Sequence, residues 1–375
     1  MKKLRVGVIF GGRSGEHEVS VLSAEHVMAN LDCSKYDAVP IGITKEGRWI
    51  CAGDETVLML KEGRDVASNA VLMPEPGQRG IISLVSSRRS ILPIDVYFPV
   101  LHGSYGEDGT IQGLLELAEM PYVSCGVLSS ALGMDKVVQK QLFQYHRLPV
   151  VPFLFFYQQT WSLAQQTTLE RIEDLFAYPL FVKPARLGSS VGISKVGNKA
   201  QLIRAIKNAF IYDEKVIVEQ GIADVREFEC GALGSGVDTP RASVVGEILV
   251  AREFYDYRAK YLDARTELII PAKITKHLTE LIQNYTTEAF HAIEGSGMSR
   301  VDYLYHEKTD TLYLNEINTI PGFTPTSSFP KLWVATGVAF PELLDRLIAA
   351  AFERFTVMKK IKRSFSSTTS IFTHA

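Results

Sequence analysis

The chain has 375 residues, 46% of them hydrophobic, enough for two or three domains with cores of their own. Its 40 basic and 42 acidic residues leave a formal charge of −2, and no strongly basic block precedes the extreme C-terminus, so nothing offers an electrostatic footprint for nucleic acid. No apolar run approaches a membrane span, which excludes a membrane partner and leaves small molecules as the expected ones.

Residues 4 to about 125 alternate apolar strands with amphipathic helices. "LRVGVIF" is followed by "EVSVLSAEHVMANL" and "DAVPIGIT", and later "DVYFPVLHG" by "TIQGLLELAEMPYVS". This rhythm predicts a mostly parallel, helix-covered sheet with functional groups at the carboxyl ends of its strands. The N-terminus resembles a signal peptide for a few residues, but charges follow the short apolar run, which reads as strand one. Residues 53 to 90 are weakly patterned around one hairpin signal, "RGIISLVS". The stretch "ALGMDKVVQKQLFQYHRLPV" then predicts one helix. "FLFFY", a further helix, "PLFVKPARLGSSVGISKV", another helix and "EKVIVEQGI" make a small α+β lobe. A third region opens near Arg226 with the strands "EFECGALG" and "SVVGEILV". It continues through the loop "REFYDYRAKYLDARTELIIPA", a helix near 275–294, and the strands "SRVDYLYH" and "TLYLNEIN". The expected boundaries are 1–125, 126–222, 223–358 and a basic, Ser/Thr-rich, poorly ordered tail at 359–375. Cys33, Cys51, Cys125 and Cys230 show no paired spacing, which fits free thiols in a reducing cytoplasm.

Three stretches carry chemistry. The turn "FGGRSGEHEVS" joins a strand to a helix, a geometry that ordinarily cradles phosphate, yet Glu16 and Glu18 would repel one. In "SRVDY" and "LNEIN", Arg300 with Asp302 and Glu316 with Asn318 are two residues apart, so each pair projects to one strand face. If the strands are neighbours, Asp302, Glu316 and Asn318 form an oxygen-donor set suited to Mg²⁺ and nucleotide phosphates. Either pair alone could also belong to a solvated outer face, a less favoured reading that both pairs together, followed by the glycine turn "NTIPGFT", weaken further. In "FVKPARLGSSVGISKV", Lys183 ends an apolar strand before a Gly/Ser turn that could fold over a triphosphate, although by itself this also describes an ordinary hairpin.

Taken in order, "GGRSGEHEVS", "LHGSYGEDGTIQGLLE", "GMDK", "FVKPARLGSSVGISKV", "FYDYRAKY", "SRVDY" and "NEINTIPGFTPTSSFPKL" resemble the ATP-grasp enzymes, and within them the D-alanine–D-alanine ligase family, from about Arg5 to residue 350. The resemblance implies an N-terminal Rossmann-like domain followed by two ATP-grasp lobes that sandwich the nucleotide. It also implies a cytoplasmic, commonly homodimeric enzyme that joins two D-alanines through an acyl phosphate for peptidoglycan precursor synthesis. By motif, Lys136 and Lys183 would bind the ATP phosphates. Glu219, with the backbone near Gln220 and Ile222, would face adenine, and Glu227 the ribose. Asp302, Glu316 and Asn318 would hold two Mg²⁺, with Mn²⁺ as a substitute.

The same resemblance answers the question of the first turn: Glu16 would receive the ammonium of the first D-alanine, while Glu18 only favours the helix start. His102 would sit near the first carboxylate. Arg300 and the N–H of Gly322 would form an oxyanion hole, and Lys260 and Ser327 would grip the second carboxylate. Glu16, Ser189 and Tyr261 would form a closing hydrogen-bonded set. The family often carries Lys where Gln220 stands, and Leu or Met where Ser328 stands, so at both positions a backbone role is implied. Two rivals are a D-alanine–D-lactate type depsipeptide ligase, against which "RAKY" argues, and a non-catalytic nucleotide-binding protein, which would have lost a metal ligand or the arginine.

Overall fold

The computed structural model describes residues 2–64, 69–84, 90–189, 191–236, 239–249 and 267–362. The chain opens with β1 (Leu4–Gly11), α1 (His17–Asn30), β2 (Tyr36–Ile43), β3 (Trp49–Ile50) and α2 (Glu55–Lys61). There follow β4 (Ala70–Val71), β5 (Ile81–Ser83), β6 (Ser90–Leu92), β7 (Val96–Pro99) and α3 (Thr110–Leu117). The first sheet has the order β3-β2-β1-β7, with β1 parallel to both β2 and β7 and β3 antiparallel at the edge. From Val6 onward β1 is apolar because both faces are covered: Val6, Val8 and Phe10 enter one core and Ile9 the other. The hairpin signal in "RGIISLVS" corresponds to β5, which pairs with β6 on one side and with β4 on the other.

The next elements are α4 (Val127–Met134), α5 (Lys136–Tyr145), β8 (Phe153–Tyr157), α6 (Gln158–Leu175), β9 (Leu180–Pro184), β10 (Ser194–Val196), α7 (Lys199–Ala209) and β11 (Lys215–Gln220). The single helix expected around "GMDK" is two helices. Asp135 leaves the helical conformation, and its side chain accepts the N–H groups of Val137 and Val138, capping α5. Asp135 also pairs with Lys215 on β11, which ties the break to the second sheet. That sheet is antiparallel, in the order β10-β9-β11-β8.

The third part holds β12 (Val225–Gly234), β13 (Arg241–Leu249), β14 (Glu267–Ile269), α8 (Lys276–Ala292), β15 (Gly297–His306), β16 (Thr311–Asn318), α9 (Ser328–Ala335) and α10 (Phe340–Lys359). Its antiparallel sheet runs β14-β13-β12-β15-β16. β15 alternates strictly: Val301, Tyr303 and Tyr305 enter the core shared with α8, so Arg300, Asp302 and Leu304 face the other way. Leu343, Leu344, Leu347 and Ile348 of α10 share one core with Val6, Val8, Val96 and Phe98 of the first sheet, so the last helix fastens the third part to the first. The architecture is mixed α/β, a parallel N-terminal sheet with two antiparallel lobes, as expected. Cys125 and Cys230 are buried, Cys33 is exposed and all four thiols are free.

Candidate active site

The site begins where β1 ends. Gly11 has a φ of +88°, and a Cβ there would lie 2.3 Å from the Ile43 carbonyl oxygen, so glycine alone lets the chain leave the strand this tightly. The turn delivers Glu16 to the start of α1, where its side chain makes no capping bond and is buried. A Cβ at Gly103 would stand 2.8 Å from Glu16 Oε2, and one at Gly188 3.0 Å. The carboxylate therefore rests against backbone from two other parts of the chain, the loop after β7 and the Gly/Ser turn after β9. Glu18 points outward to Lys45 at 2.5 Å, and that hydrogen bond lowers its pKa.

The loop after β7 turns to the same place. His102 Nδ1 lies 3.0 Å from the Ile320 carbonyl oxygen and Nε2 3.1 Å from Ser23 Oγ. Burial lowers the imidazole pKa, which favours the neutral ring with Nδ1–H donating to Ile320 and Nε2 accepting from the serine. Glu107 stands in "LHGSYGEDGTIQGLLE", where no local pattern singles it out. Its carboxylate accepts the N–H of Gly103 at 2.7 Å and that of Ile320 at 3.3 Å. One turn thus grips both backbone groups of Ile320, two residues before Gly322. Burial, and then the charge of Glu16, push the Glu107 carboxyl up from 4.5 to about 8.

A pH dependence follows. Below about pH 4.5 both the folded and unfolded chains hold this proton, and between about 4.5 and about 8 only the folded chain does, so the group makes stability fall as pH rises through that window. Glu107→Gln should therefore gain stability relative to the parent at pH 8 compared with pH 5, with a full single-group slope near ~1.4 kcal/mol per pH unit as the ceiling. Urea unfolding at both pH values checks this. An identical decline in parent and variant would remove Glu107 as its source.

β15 and β16 are neighbours, and their register sets Arg300 opposite Asn318 and Asp302 opposite Glu316. The condition attached to the oxygen-donor set is met. Arg300 donates from Nε to Asp302 Oδ1 at 2.7 Å and from the second fork nitrogen to Oδ2 at 2.8 Å, with Glu229 Oε1 at 3.2 Å. Burial opposes the guanidinium charge, but Asp302 and Glu229 outweigh it and raise the pKa well above normal. Asn318 Nδ2 donates to Asp302 Oδ2 at 3.1 Å, and Lys136 Nζ is 3.4 Å from Glu316. Among the described residues no three His, Cys, Asp or Glu side chains converge as a metal cage. Two carboxylates and an amide on facing strand positions nevertheless fit Mg²⁺, which keeps waters and phosphate oxygens in its shell.

These groups border two adjoining cavities. The smaller, about 70 Å³, is lined by Glu16, His102, Glu107, Ser189, Arg300 and Gly322, with Lys136, Glu316 and Asn318 at one side. Ser189 has a φ of +52°, and its Oγ is buried with no hydrogen-bond partner among the described residues. The larger, about 570 Å³, lies between the second and third sheets. Its walls include Lys183, Glu219, Gln220, Ile222, Glu227, Asp302 and Glu316. Glu316 is common to both.

The remaining predicted residues are placed as follows. Lys136 Nζ donates to the Leu187 carbonyl at 2.9 Å, inside the Gly/Ser turn. Lys183 Nζ is 2.5 Å from Glu219 Oε2, and Lys140 Nζ is 3.0 Å from Glu219 Oε1. The Glu219 carboxylate is thus committed to two lysines, which override its burial and lower its pKa to about 2. Gln220 turns its side chain to Ala177 and Gly221. Ser327 Oγ accepts the Thr324 N–H at 3.0 Å and would stand 2.6 Å from a Cβ at Gly322, while Ser328 opens α9. Lys260 and Tyr261 lie outside the described residues. Lys140 and Glu229, like Glu107, were missed: each has other charged residues close by in the sequence, and no local pattern sets it apart from them.

Comparison with known proteins agrees along nearly the whole chain. The family model for the D-ala D-ala ligase N-terminus matches residues 5–125, and that for the D-ala D-ala ligase C-terminus matches 142–349. The D-alanine–D-alanine ligase of Heliobacterium modesticaldum is 48% identical over 356 residues, 95% of this chain and 96% of the other. That of Caldicellulosiruptor bescii is 44% identical over 364 residues, 97% and 99% of the two chains. Among solved structures, the Coxiella burnetii D-alanine–D-alanine ligase is 34% identical with a TM-score of 0.82, covering 96% of this chain and 97% of that one. The D-Ala:D-Ser ligase VanG of Enterococcus faecalis is 36% identical with a TM-score of 0.82, covering 93% and 100%.

Proposed function

The chain belongs to the D-alanine–D-alanine ligase family, and from that premise we propose how its own residues join two D-alanines at the expense of ATP. The observation that carries the reading is the small cavity, where Glu16, Ser189, Arg300 and Gly322 meet from three parts of the chain beside a nucleotide-sized cleft that shares Glu316.

ATP lies in the large cleft, with its adenine along the backbone of Glu219, Gln220 and Ile222 and its ribose at Glu227. Lys136 and Lys183 meet the phosphates as point charges. Asp302, Glu316 and Asn318 are the residues to hold Mg²⁺, or Mn²⁺, which when bound supplies charge neutralisation on the transferring phosphoryl group. In the small cavity Glu16 holds the ammonium of the first D-alanine and neutral His102 lies at its carboxylate. A carboxylate oxygen of this substrate attacks the γ-phosphorus and ADP leaves, giving an acyl phosphate. The second D-alanine is held by its carboxylate at Lys260 and Ser327, with the backbone of Ser328 alongside. Its amine, having lost a proton, attacks the acyl carbon and inorganic phosphate departs. Arg300 and the Gly322 N–H face the oxygen that turns negative in between. Ser189 and Tyr261 close the site with Glu16 and exclude water from an intermediate that hydrolyses readily. The dipeptide goes to peptidoglycan precursor synthesis in the cytoplasm, and the assembly is a homodimer.

The direct test supplies ATP, Mg²⁺ and D-alanine and measures phosphate and D-alanyl-D-alanine together. Equal amounts support the reading, and phosphate without dipeptide overturns it. Glu16→Gln should raise the KM for the first D-alanine about tenfold or more, and that for ATP far less, because the lost charge faces an ammonium. Equal effects on both substrates would return Glu16 to a role at the helix start.

A further inference from the structure

Lys140 takes no part in the chemistry just described, yet it is the most deeply buried lysine of the described chain, 1% exposed. It stands one helical turn after Lys136 on α5, so both ammonium groups enter the same region. Its Nζ is 3.0 Å from Glu219 Oε1, and it donates at 3.0 Å to the carbonyl of Asn315. Asn315 is the extra residue of the bulge that shifts the β15–β16 register, next to Glu316. The other oxygen of Glu219 holds Lys183 at 2.5 Å. One enclosed carboxylate therefore carries two lysines, of which only Lys183 lines the large cleft.

A group clamped this way presents a difficulty for phosphate binding. If Lys183 turns to a triphosphate, Glu219 loses a counter-ion while still buried, and an unpaired buried charge is costly. We infer that Lys140 is a positioning residue, a standby counter-ion that keeps Glu219 neutralised and so releases Lys183 to the nucleotide phosphates. The charges around it agree. Burial works against the Lys140 ammonium and lowers its pKa, with Glu219 as the main opposing influence and Lys183 adding repulsion. Glu316 and Glu227 also act on Lys183, and together with Glu219 they raise its pKa against burial. Lys140 answers chiefly to Glu219, whereas Lys183 has a partner to leave and a ligand to meet.

The inference rests on the large cleft being the nucleotide site, and the test separates the two. Calorimetric affinities for ATP, ADP and adenosine are measured on the parent, on Lys140→Met and on Lys140→Met/Glu219→Gln. Lys140→Met should weaken ATP and ADP at least about tenfold and adenosine less than about twofold, since only the phosphates need Lys183. Removing the carboxylate as well should restore ADP to within about threefold of the parent. A lysine that merely props up the lobe would weaken all three ligands alike, with no recovery in the double variant, and either result overturns the inference. If Lys140→Met does not fold, Glu219→Gln alone decides: ADP binding equal to or tighter than the parent supports it, and weaker ADP binding with unchanged adenosine overturns it. A parent that binds neither ATP nor ADP would overturn the nucleotide reading, and this inference with it.

Discussion

Asp302→Asn and Glu316→Gln should each fold and each lose dipeptide turnover by on the order of a thousandfold or more. The two carboxylates stand directly opposite one another on β15 and β16, and each substitution removes one negative charge while nearly preserving shape. Asp302 lies 15% exposed against Arg300, so its amide can still accept one of the two guanidinium bonds, and Glu229 remains beside the arginine at 3.2 Å. Stability should therefore fall much less than turnover. Glu316 borders both cavities and faces Lys136 at 3.4 Å, so Gln there also leaves that lysine without its anion before ATP arrives. If the charge serves a bound divalent cation, raising Mg²⁺ should recover part of the loss in both variants. A kcat within about threefold of the parent in either one would remove that residue from the set.

How much of this was readable in advance follows from the range of each signal. The alternation of "SRVDYLYH" and "TLYLNEIN" made Arg300, Asp302, Glu316 and Asn318 visible as same-face pairs, because a period of two is local to a strand. That the strands are neighbours is a long-range fact, and it had to come from the fold. The break at Asp135 stayed hidden because apolar residues continue on both sides and the capping side chain is a single atom group. The small sheet of β4, β5 and β6 has strands of two or three residues, too short to show a period. The docking of α10 on the first sheet joins residues between 245 and 342 positions apart, and no local pattern carries that. Glu107 and Lys140 matter through partners in distant segments, Ile320 for one and Glu219 and Asn315 for the other. An acid or base among other charges in a sequence does not announce its partner.

Arg300 should separate charge from shape. Arg300→Met removes the cation between Asp302 and Glu229 and leaves two largely buried carboxylates facing each other, a situation that typically costs about 3 to 5 kcal/mol of stability. If the proposed oxyanion role holds, turnover should fall on the order of a thousandfold beyond any loss through unfolding, because the lost cation would face the oxygen that becomes negative. Arg300→Lys keeps the charge but has a single nitrogen where the guanidinium presents a fork, and here that fork makes two bonds to Asp302 while lying 3.2 Å from Glu229. A lysine that satisfies one carboxylate cannot also reach the developing oxyanion, so its stability should recover most of the methionine variant's loss while turnover stays about a hundredfold below the parent. Thermal unfolding beside single-turnover phosphate release measures both quantities. If lysine restores turnover as fully as it restores stability, the arginine acts only as the counter-ion of the strand pair. If stability returns and turnover does not, the second face of the fork is the one that meets the substrate.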